Sequence, residues 1–137
     1  MRKSGFTLIE LMIVVAILGI LASLAVVKYA SLMRKANEGV VQGDLGSLRS
    51  AISIYYSDTT GEVPADLSGL TVNGKYLTAL PRLRIPDYHP ASAAVALGAA
   101  DDSGGWVFDN APSSSRYGSV WVNCTHTDTK GSVWSSY

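Results

Sequence analysis

One carboxylate lies inside the longest apolar run of this 137-residue sequence. The run covers residues 6–27 and reads FTLIELMIVVAILGILASLAVV, with Glu10 as its only charged residue. A charged side chain costs about 2.5–3.5 kcal/mol at the centre of a membrane helix and less near its ends. Glu10 therefore requires either water or a positive partner, and ion pairing is the first chemistry that the sequence suggests.

The partner of Glu10 is open to two interpretations from the residues alone. Glu10 can lie at a membrane interface, where its side chain reaches water. Alternatively, the chain is cut after Gly5, and the new α-amine of Phe6 pairs with a glutamate of its own or of a neighbouring chain. The nearest other cations are Arg2 and Lys3.

Other residue types that could do chemistry are few. His89 and His126 are far apart in the sequence, and a single cysteine, Cys124, offers no recognisable zinc spacing. Three aspartates could supply oxygen ligands to calcium, but their spacing matches no known loop and indicates solvated turn carboxylates: Asp101, Asp102 and Asp128. There is no phosphate-binding glycine loop and no nucleophile elbow. We therefore predict no enzymatic activity, no cofactor and no metal site.

Charge and composition limit the remaining classes. Eleven basic and eleven acidic residues give a formal net charge of zero, so no nucleic-acid partner is implied. One cysteine excludes an intramolecular disulfide. The residues after the apolar run suffice for one modest domain.

A long helix must position Glu10. As a helix, residues 6–27 span about 33 Å, enough to cross a bilayer core of about 30 Å, and the run is too long for a cleaved signal peptide. Apolar residues then recur at helical spacing on one face, which predicts an amphipathic continuation over residues 28–57: Val41, Leu45, Leu48, Ile52 and Tyr55. Lys28, Arg34, Lys35 and Glu38 form a polar collar between the halves, interpreted as a solvated face. Three glycines in this half could mark a bend, a close neighbour or weak points of the helix: Gly39, Gly43 and Gly46.

Residues 58–137 are predicted to form a globular head. Asp58 to Gly61 read as the helix stop, and a proline-rich connection follows with a helical turn after Pro64. The segment ASAAVALGAA is ambiguous between strand and helix. WVFD, SVWVNC and SVWSSY predict an antiparallel β-meander. The fold class is α+β, one long helix packed on a small antiparallel sheet.

The short basic leader ending in Gly5, followed by FTLIELMIVVAILGILASLA, resembles the N-terminus of prepilins, the type IV pilins and the pseudopilins of type II secretion systems. The resemblance is close over about 30 residues and looser in KANEG, LGSLRSAISIYY, GGWVFD and VWVNC. It implies the pilin architecture. It also implies that residues 1–5 are a leader, removed by a prepilin peptidase that cuts between Gly5 and Phe6 and methylates the Phe6 amine. The Phe6 amine and Glu10 would then pair and set the register of an incoming subunit.

The resemblance further implies a bacterial structural subunit that polymerises into a helical homo-oligomeric filament. Before assembly the helix would anchor the chain in the inner membrane. The expected partners are the peptidase, an inner-membrane platform protein and a cytoplasmic assembly ATPase.

Three functions stay open at this stage. The first is an extracellular type IV pilus for adhesion, motility or DNA uptake. The second is a periplasmic pseudopilus that drives protein export by type II secretion. The missing disulfide loop and the small head favour this second function. The third is a monomeric membrane-anchored binding module, which explains neither Glu10 nor the Gly5–Phe6 junction.

Overall fold

A computed structural model describes residues 5–137 of the chain; Arg2, Lys3 and the rest of the predicted leader before Gly5 lie outside the described residues. The chain contains a first unit that ends at Arg34 and a second unit, Lys35–Tyr137. One helix, α1 (Leu8–Asp58), provides residues to both units. Two 3₁₀ helices and five short strands follow: Leu67–Gly74, β1 (Leu83–Ile85), β2 (His89–Ser92), β3 (Val95–Leu97), β4 (Trp106–Phe108), β5 (Val120–Val122) and Trp134–Ser136.

The first unit consists of the apolar part of α1. Helix-compatible aliphatic residues fill it, and Gly19 does not interrupt it, although a glycine weakens a helix by about 1 kcal/mol relative to alanine. All its described residues from Gly5 to Met33 are exposed. The helix is long and apolar enough to span a membrane.

In the second unit, the predicted stripe of α1 packs on the head. Val41, Leu45, Leu48 and Ile52 are all less than 10 % exposed, and Tyr55 packs against the same core. The amphipathic half predicted from the sequence is thereby confirmed. At the three glycines of this half, a Cβ atom would meet nothing of this chain within 4 Å, so no close neighbour within the described residues explains them.

The helix stop is also as predicted. The helix ends at Asp58, and Thr60 and Gly61 then adopt positive φ angles of 58° and 101°, which reverse the chain. The predicted helical turn after Pro64 is the 3₁₀ helix Leu67–Gly74, capped by the Asp66 side chain.

Two small sheets form the rest of the head. β1 and β2 pair antiparallel. In the three-stranded sheet, β4 is central: β5 pairs with it antiparallel, and β3 pairs with it parallel, with Val95 opposite Trp106. The α+β layout of a long helix and small sheets is as expected.

The prediction of a third meander strand in SVWSSY was wrong. Within SVWSSY, Val133 makes one isolated bridge to Thr127, and Trp134–Ser136 then turn into a 3₁₀ helix. Burial explains the turn, because the indole of Trp134 is 1 % exposed and packs in the core.

The third strand of this sheet is β3, which lies in the segment ASAAVALGAA that was ambiguous between strand and helix. Trp106 N–H donates to the Ala94 carbonyl oxygen over 2.9 Å, directly beside Gly105. Gly105 has a φ of 78°, and a Cβ there would lie 2.3 Å from the same oxygen. The parallel pairing therefore depends on a glycine that permits this close approach.

The long connection between α1 and β4 is fastened through main-chain oxygens. The Trp106 indole N–H donates to the Pro81 carbonyl over 2.8 Å, and the Asn110 amide donates to the Ala65 carbonyl over 2.8 Å. These bonds hold irregular chain against the sheet.

Candidate functional site

The first residues that the structure describes are the predicted processing residues. Gly5 and Phe6 are exposed, and both precede the first residue of α1. Phe6 is 75 % exposed. An exposed, non-helical peptide bond is the form of substrate that a protease can bind.

Glu10 lies in the first turn of α1, where Thr7 is its partner. Glu10 Oε2 accepts hydrogen bonds from Thr7 N–H over 2.8 Å and from Thr7 Oγ1 over 2.7 Å. Glu10 N–H lies 3.4 Å from Thr7 Oγ1, so the two residues form a capping box. Thr7 was not predicted as a partner of Glu10, although Thr7-x-x-Glu10 is the spacing typical of the motif.

The capping box fixes a negative charge at the start of the helix. Both bonds from Thr7 go to Oε2, and within residues 5–137 no hydrogen bond to Oε1 is found. The partial positive charge of the helix N-terminus also favours an anion here. Chemically, the arrangement holds a carboxylate in place with one oxygen free to accept a bond from a cation.

The surface that follows Glu10 is apolar on every side. Its large side chains are between 45 % and 72 % exposed from Leu11 to Val27. The one hydroxyl in the middle of this surface, Ser23, donates back to the Ile20 carbonyl over 2.7 Å. After Glu10, this described segment therefore has no side-chain polar group that needs a hydrogen bond from water. Lipid or other apolar helices can cover it.

The polar collar behaves differently from the prediction at one residue. Lys28 and Lys35 are exposed, but Glu38 is only 6 % exposed. Its two oxygens accept from Thr129 N–H over 2.9 Å and from Thr129 Oγ1 over 2.6 Å. Glu38 thus joins α1 to the C-terminal loop, and its assignment to a solvated face was wrong.

The head brings together the two histidines that are distant in the sequence. His89 Nε2 and His126 Nδ1 lie 3.3 and 3.4 Å from Asp102 Oδ1, and Cys124 Sγ lies 3.4 Å from His126 Nδ1. One ligand atom from each of these four residues lies within 4.8 Å of all the others. Burial raises the pKa of the Cys124 thiol to about 11.

Sequence reasoning missed this cluster because its members come from three separate segments. Only Cys124 and His126 are neighbours, two residues apart. That spacing places both side chains on one side of an extended chain, and it is the one local signal in the sequence.

The other predicted loop carboxylates organise their own loops. Asp101 is exposed, and hydrogen bonds from Ser103 and Asn123 lower its pKa to about 2. Asp128 is 6 % exposed, so it is not a solvated carboxylate. It accepts from the Tyr137 hydroxyl and from the Ser132 and Lys130 backbone N–H groups, and these bonds hold its pKa below the ordinary value.

Comparison with known proteins gives one family match at the N-terminus and several relatives that align with part of the chain. Residues 1–26 match the family described as the prokaryotic N-terminal methylation motif. Fimbrial protein EcpC of Eikenella corrodens is 44 % identical over 82 residues, which cover 57 % of this chain and 53 % of that protein. Type II secretion system core protein G of Pseudomonas aeruginosa is 40 % identical over 81 residues, covering 59 % and 56 %. Type IV narrow pilus major component PilA5 of Thermus thermophilus is 46 % identical over 54 residues, covering 39 % and 47 %.

The chain spans about half the length of these curated relatives. No solved structure matches the chain.

Proposed function

We propose that this chain, which belongs to the family of type IV pilins and type II secretion pseudopilins, is a structural subunit that polymerises through its N-terminal helix into an extracytoplasmic filament. One observation carries the proposal. Shortly after Gly5 and Phe6, within the matched methylation motif, a helix with exposed apolar side chains begins at Leu8 with a carboxylate fixed in its first turn. The exposed apolar surface of such a helix must be buried, and copies of the same helix can bury it.

Processing would divide the chain at Gly5. In this proposal a prepilin peptidase removes residues 1–5 and methylates the Phe6 amine. Residues 6–27 then form the filament core, residues 28–57 form the amphipathic part of the helix, and residues 58–137 form the head. The exposure of Gly5 and Phe6 ahead of α1 supports the cleavage step.

Glu10 would set the axial register between subunits. Thr7 occupies Oε2, and Oε1 is available to the Phe6 amine of a neighbouring subunit. A buried carboxylate without a partner is costly, and removing one member of a buried ion pair typically costs about 3–5 kcal/mol. An incoming subunit whose amine is displaced from this carboxylate would lose that amount, so one register is selected. The role is positional and not catalytic.

The surroundings of the helix would change during assembly. Before assembly, the apolar segment anchors the subunit in the inner membrane of a bacterium; afterwards it packs among equivalent helices in an extracellular pilus or a periplasmic pseudopilus. A platform protein in the inner membrane and a cytoplasmic ATPase would drive this transfer. The subunit itself would not be an enzyme.

A pseudopilus is the second candidate, and the similarity to core protein G favours it. The two outcomes differ in where the filament forms and in what fails without it. Deletion of this chain would abolish extracellular filaments in a pilus system, whereas it would trap exported proteins in the periplasm in a secretion system. Electron microscopy of sheared fractions and immunoblots of periplasmic and medium fractions distinguish them.

Mass spectrometry of the mature chain and two substitutions test the assembly proposal. We expect an N-terminal methyl-Phe6 in filament fractions. Glu10→Gln keeps an acceptor for the Thr7 cap but removes the charge, so it should yield processed subunits in the membrane and few filaments. Thr7→Val removes the side-chain cap and keeps the charge, so filament yield should fall less. Normal filament yield from Glu10→Gln would contradict the register pair, and a mature chain that retains residues 1–5 would contradict the whole proposal.

A further inference from the structure

We propose that His89, Asp102, Cys124 and His126 bind one divalent transition-metal ion, with zinc as the expected ion. The site lies in the head, and it does not depend on filament assembly. Its four donors are two imidazole nitrogens, one sulfur and one carboxylate oxygen. This combination is typical of zinc, whereas calcium and magnesium prefer oxygen ligands alone.

The distances between the donors agree with a tetrahedral ion. Zinc bonds of about 2.0–2.1 Å to nitrogen and about 2.3 Å to sulfur place the corners of a tetrahedron roughly 3.3–3.8 Å apart. In this chain His89 Nε2 to Asp102 Oδ1 is 3.3 Å, His126 Nδ1 to the same oxygen is 3.4 Å, and Cys124 Sγ to His126 Nδ1 is 3.4 Å. The remaining pairs lie within 4.8 Å. Small side-chain movements suffice to close the site around one ion.

The loop that carries Asp102 is held independently of any metal. Asn123, which is 1 % exposed, accepts from the N–H groups of Asp101 and Asp102 over 2.9 and 3.2 Å. Its amide nitrogen donates to Asp101 Oδ1 over 2.7 Å and to Ser103 Oγ over 3.0 Å. Asp102 Oδ1 also accepts from Thr125 N–H over 2.7 Å. The carboxylate is therefore aimed at the other three donors by bonds from outside the site.

The other ligands are equally constrained. The carbonyl groups of Cys124 and His126 accept from Ser135 N–H over 2.9 Å and from Trp134 N–H over 3.0 Å, which fixes the segment that carries both ligands. The His126 ring stacks on Tyr88 with centroids 4.0 Å apart. His89 packs so closely on Gly104 that a Cβ there would lie 3.1 Å from the His89 Cβ. A site built in this way loses little conformational freedom when an ion binds.

Four protein ligands fill the coordination of zinc and leave no open position, so the ion would be structural. It would tie together the loop before β4, the start of β2 and the segment after β5. The side chains of His89, Asp102 and His126 are 13 %, 33 % and 38 % exposed, which gives the ion a route from solvent.

Zinc titration of the full chain in detergent tests the site. The protein, prepared without a histidine tag, is stripped with a chelator, reduced and titrated with Zn²⁺ against a chromophoric competitor. We expect one equivalent to bind. At free zinc of about one hundred times the dissociation constant, the melting temperature of the head should rise by about 10 °C or more, while Ca²⁺ leaves it unchanged. Co²⁺ should give a thiolate charge-transfer band.

Three variants make the test specific. Cys124→Ser should abolish the cobalt thiolate band and weaken zinc binding at least tenfold. Because Cys124 is buried and its variant can fail to fold, His89→Gln, at the edge of the core, provides an independent test with the same expected loss of affinity. Asp58→Asn, at an exposed ion pair with Lys75, is the matched control and should bind zinc as the unaltered chain does.

Absence of zinc binding at about 10 μM free ion would overturn the proposal, as would equal affinity in the His89→Gln variant or an equal response to Ca²⁺. Loss of zinc binding would leave filament formation and Phe6 methylation as separate measurements. Failure of the metal site can therefore be told apart from failure of the assembly proposal.

Discussion

Replacement of Glu38 tests the bond between α1 and the C-terminal loop. Glu38 is 6 % exposed, and its carboxylate accepts two hydrogen bonds from Thr129. Hydrogen bonds to a charged group contribute about 1.5–3 kcal/mol each, but Thr129 is exposed, so water can replace part of what is lost. We expect Glu38→Leu to reduce the free energy of unfolding by about 2 kcal/mol.

Glu38→Gln should cost less. The amide oxygen still accepts one of the two bonds, and the Thr129 hydroxyl can accept a bond from the new NH₂ group. We expect a loss of about 1 kcal/mol, because both charge-assisted bonds become neutral ones but neither partner is left without a bond. The double variant Glu38→Leu/Thr129→Val should lose less stability than the sum of the two single losses, since both substitutions remove the same hydroxyl hydrogen bond.

Urea unfolding followed by tryptophan fluorescence measures these values in detergent. All three tryptophans lie in the second unit, so the signal reports the head: Trp106, Trp121 and Trp134. Glu62→Leu, at an exposed position, is the matched control and should stay within about 0.5 kcal/mol of the unaltered chain. A Glu38→Leu variant as stable as that control, or strictly additive losses with Thr129→Val, would refute the reasoning.

The remaining predictions concern glycines and acid stability. Gly105→Ala should cost more than about 3 kcal/mol, because the new Cβ would lie 2.3 Å from a carbonyl oxygen; Gly131→Ala, with a φ of 86° but open space, should cost about 1–2 kcal/mol in the same urea assay. Gly43→Ala should stabilise the chain by about 0.5–1 kcal/mol, since within residues 5–137 its Cβ would meet no atom within 4 Å beyond its own stretch of helix; a loss would point to helix strain. A hydrogen bond from the Ser114 hydroxyl and, with a smaller effect, one from a backbone N–H lower the folded-state pKa of Asp109. A carboxyl group with a lowered pKa stabilises the fold at pH values above its ordinary pKa of about 4. This contribution is lost as the pH falls through the folded-state pKa. The urea midpoint should therefore decline less between about pH 5 and 2 in Asp109→Asn, and an unchanged decline would contradict this.

The long helix was predictable because local signals agree there. An uninterrupted apolar run, a stripe at helical spacing and a stop at Asp58 each follow from residue chemistry alone. The strands β4 and β5 were also recognisable from their aromatic and β-branched residues. Glu10 was recognised as unusual for the right reason, but the search for an ionic partner overlooked the nearer hydroxyl and N–H of Thr7.

What the sequence concealed depends on contacts between distant residues. Pairing of β3 with β4 requires a glycine at 105, and no local pattern distinguishes that need from an ordinary turn. Glu38 reads as a surface residue until its partner, 91 positions later, is known. His89 and His126 meet only after two sheets and a loop have formed, which no spacing rule for zinc describes.

The hydrogen bonds that hold the connecting segment are accepted by the backbone carbonyl groups of Ala65 and Pro81, so they do not depend on the side chains at those positions. Every amino acid has the same carbonyl oxygen. The side chains at positions 65 and 81 can therefore vary while Trp106 and Asn110 retain their acceptors, provided that the backbone keeps its course.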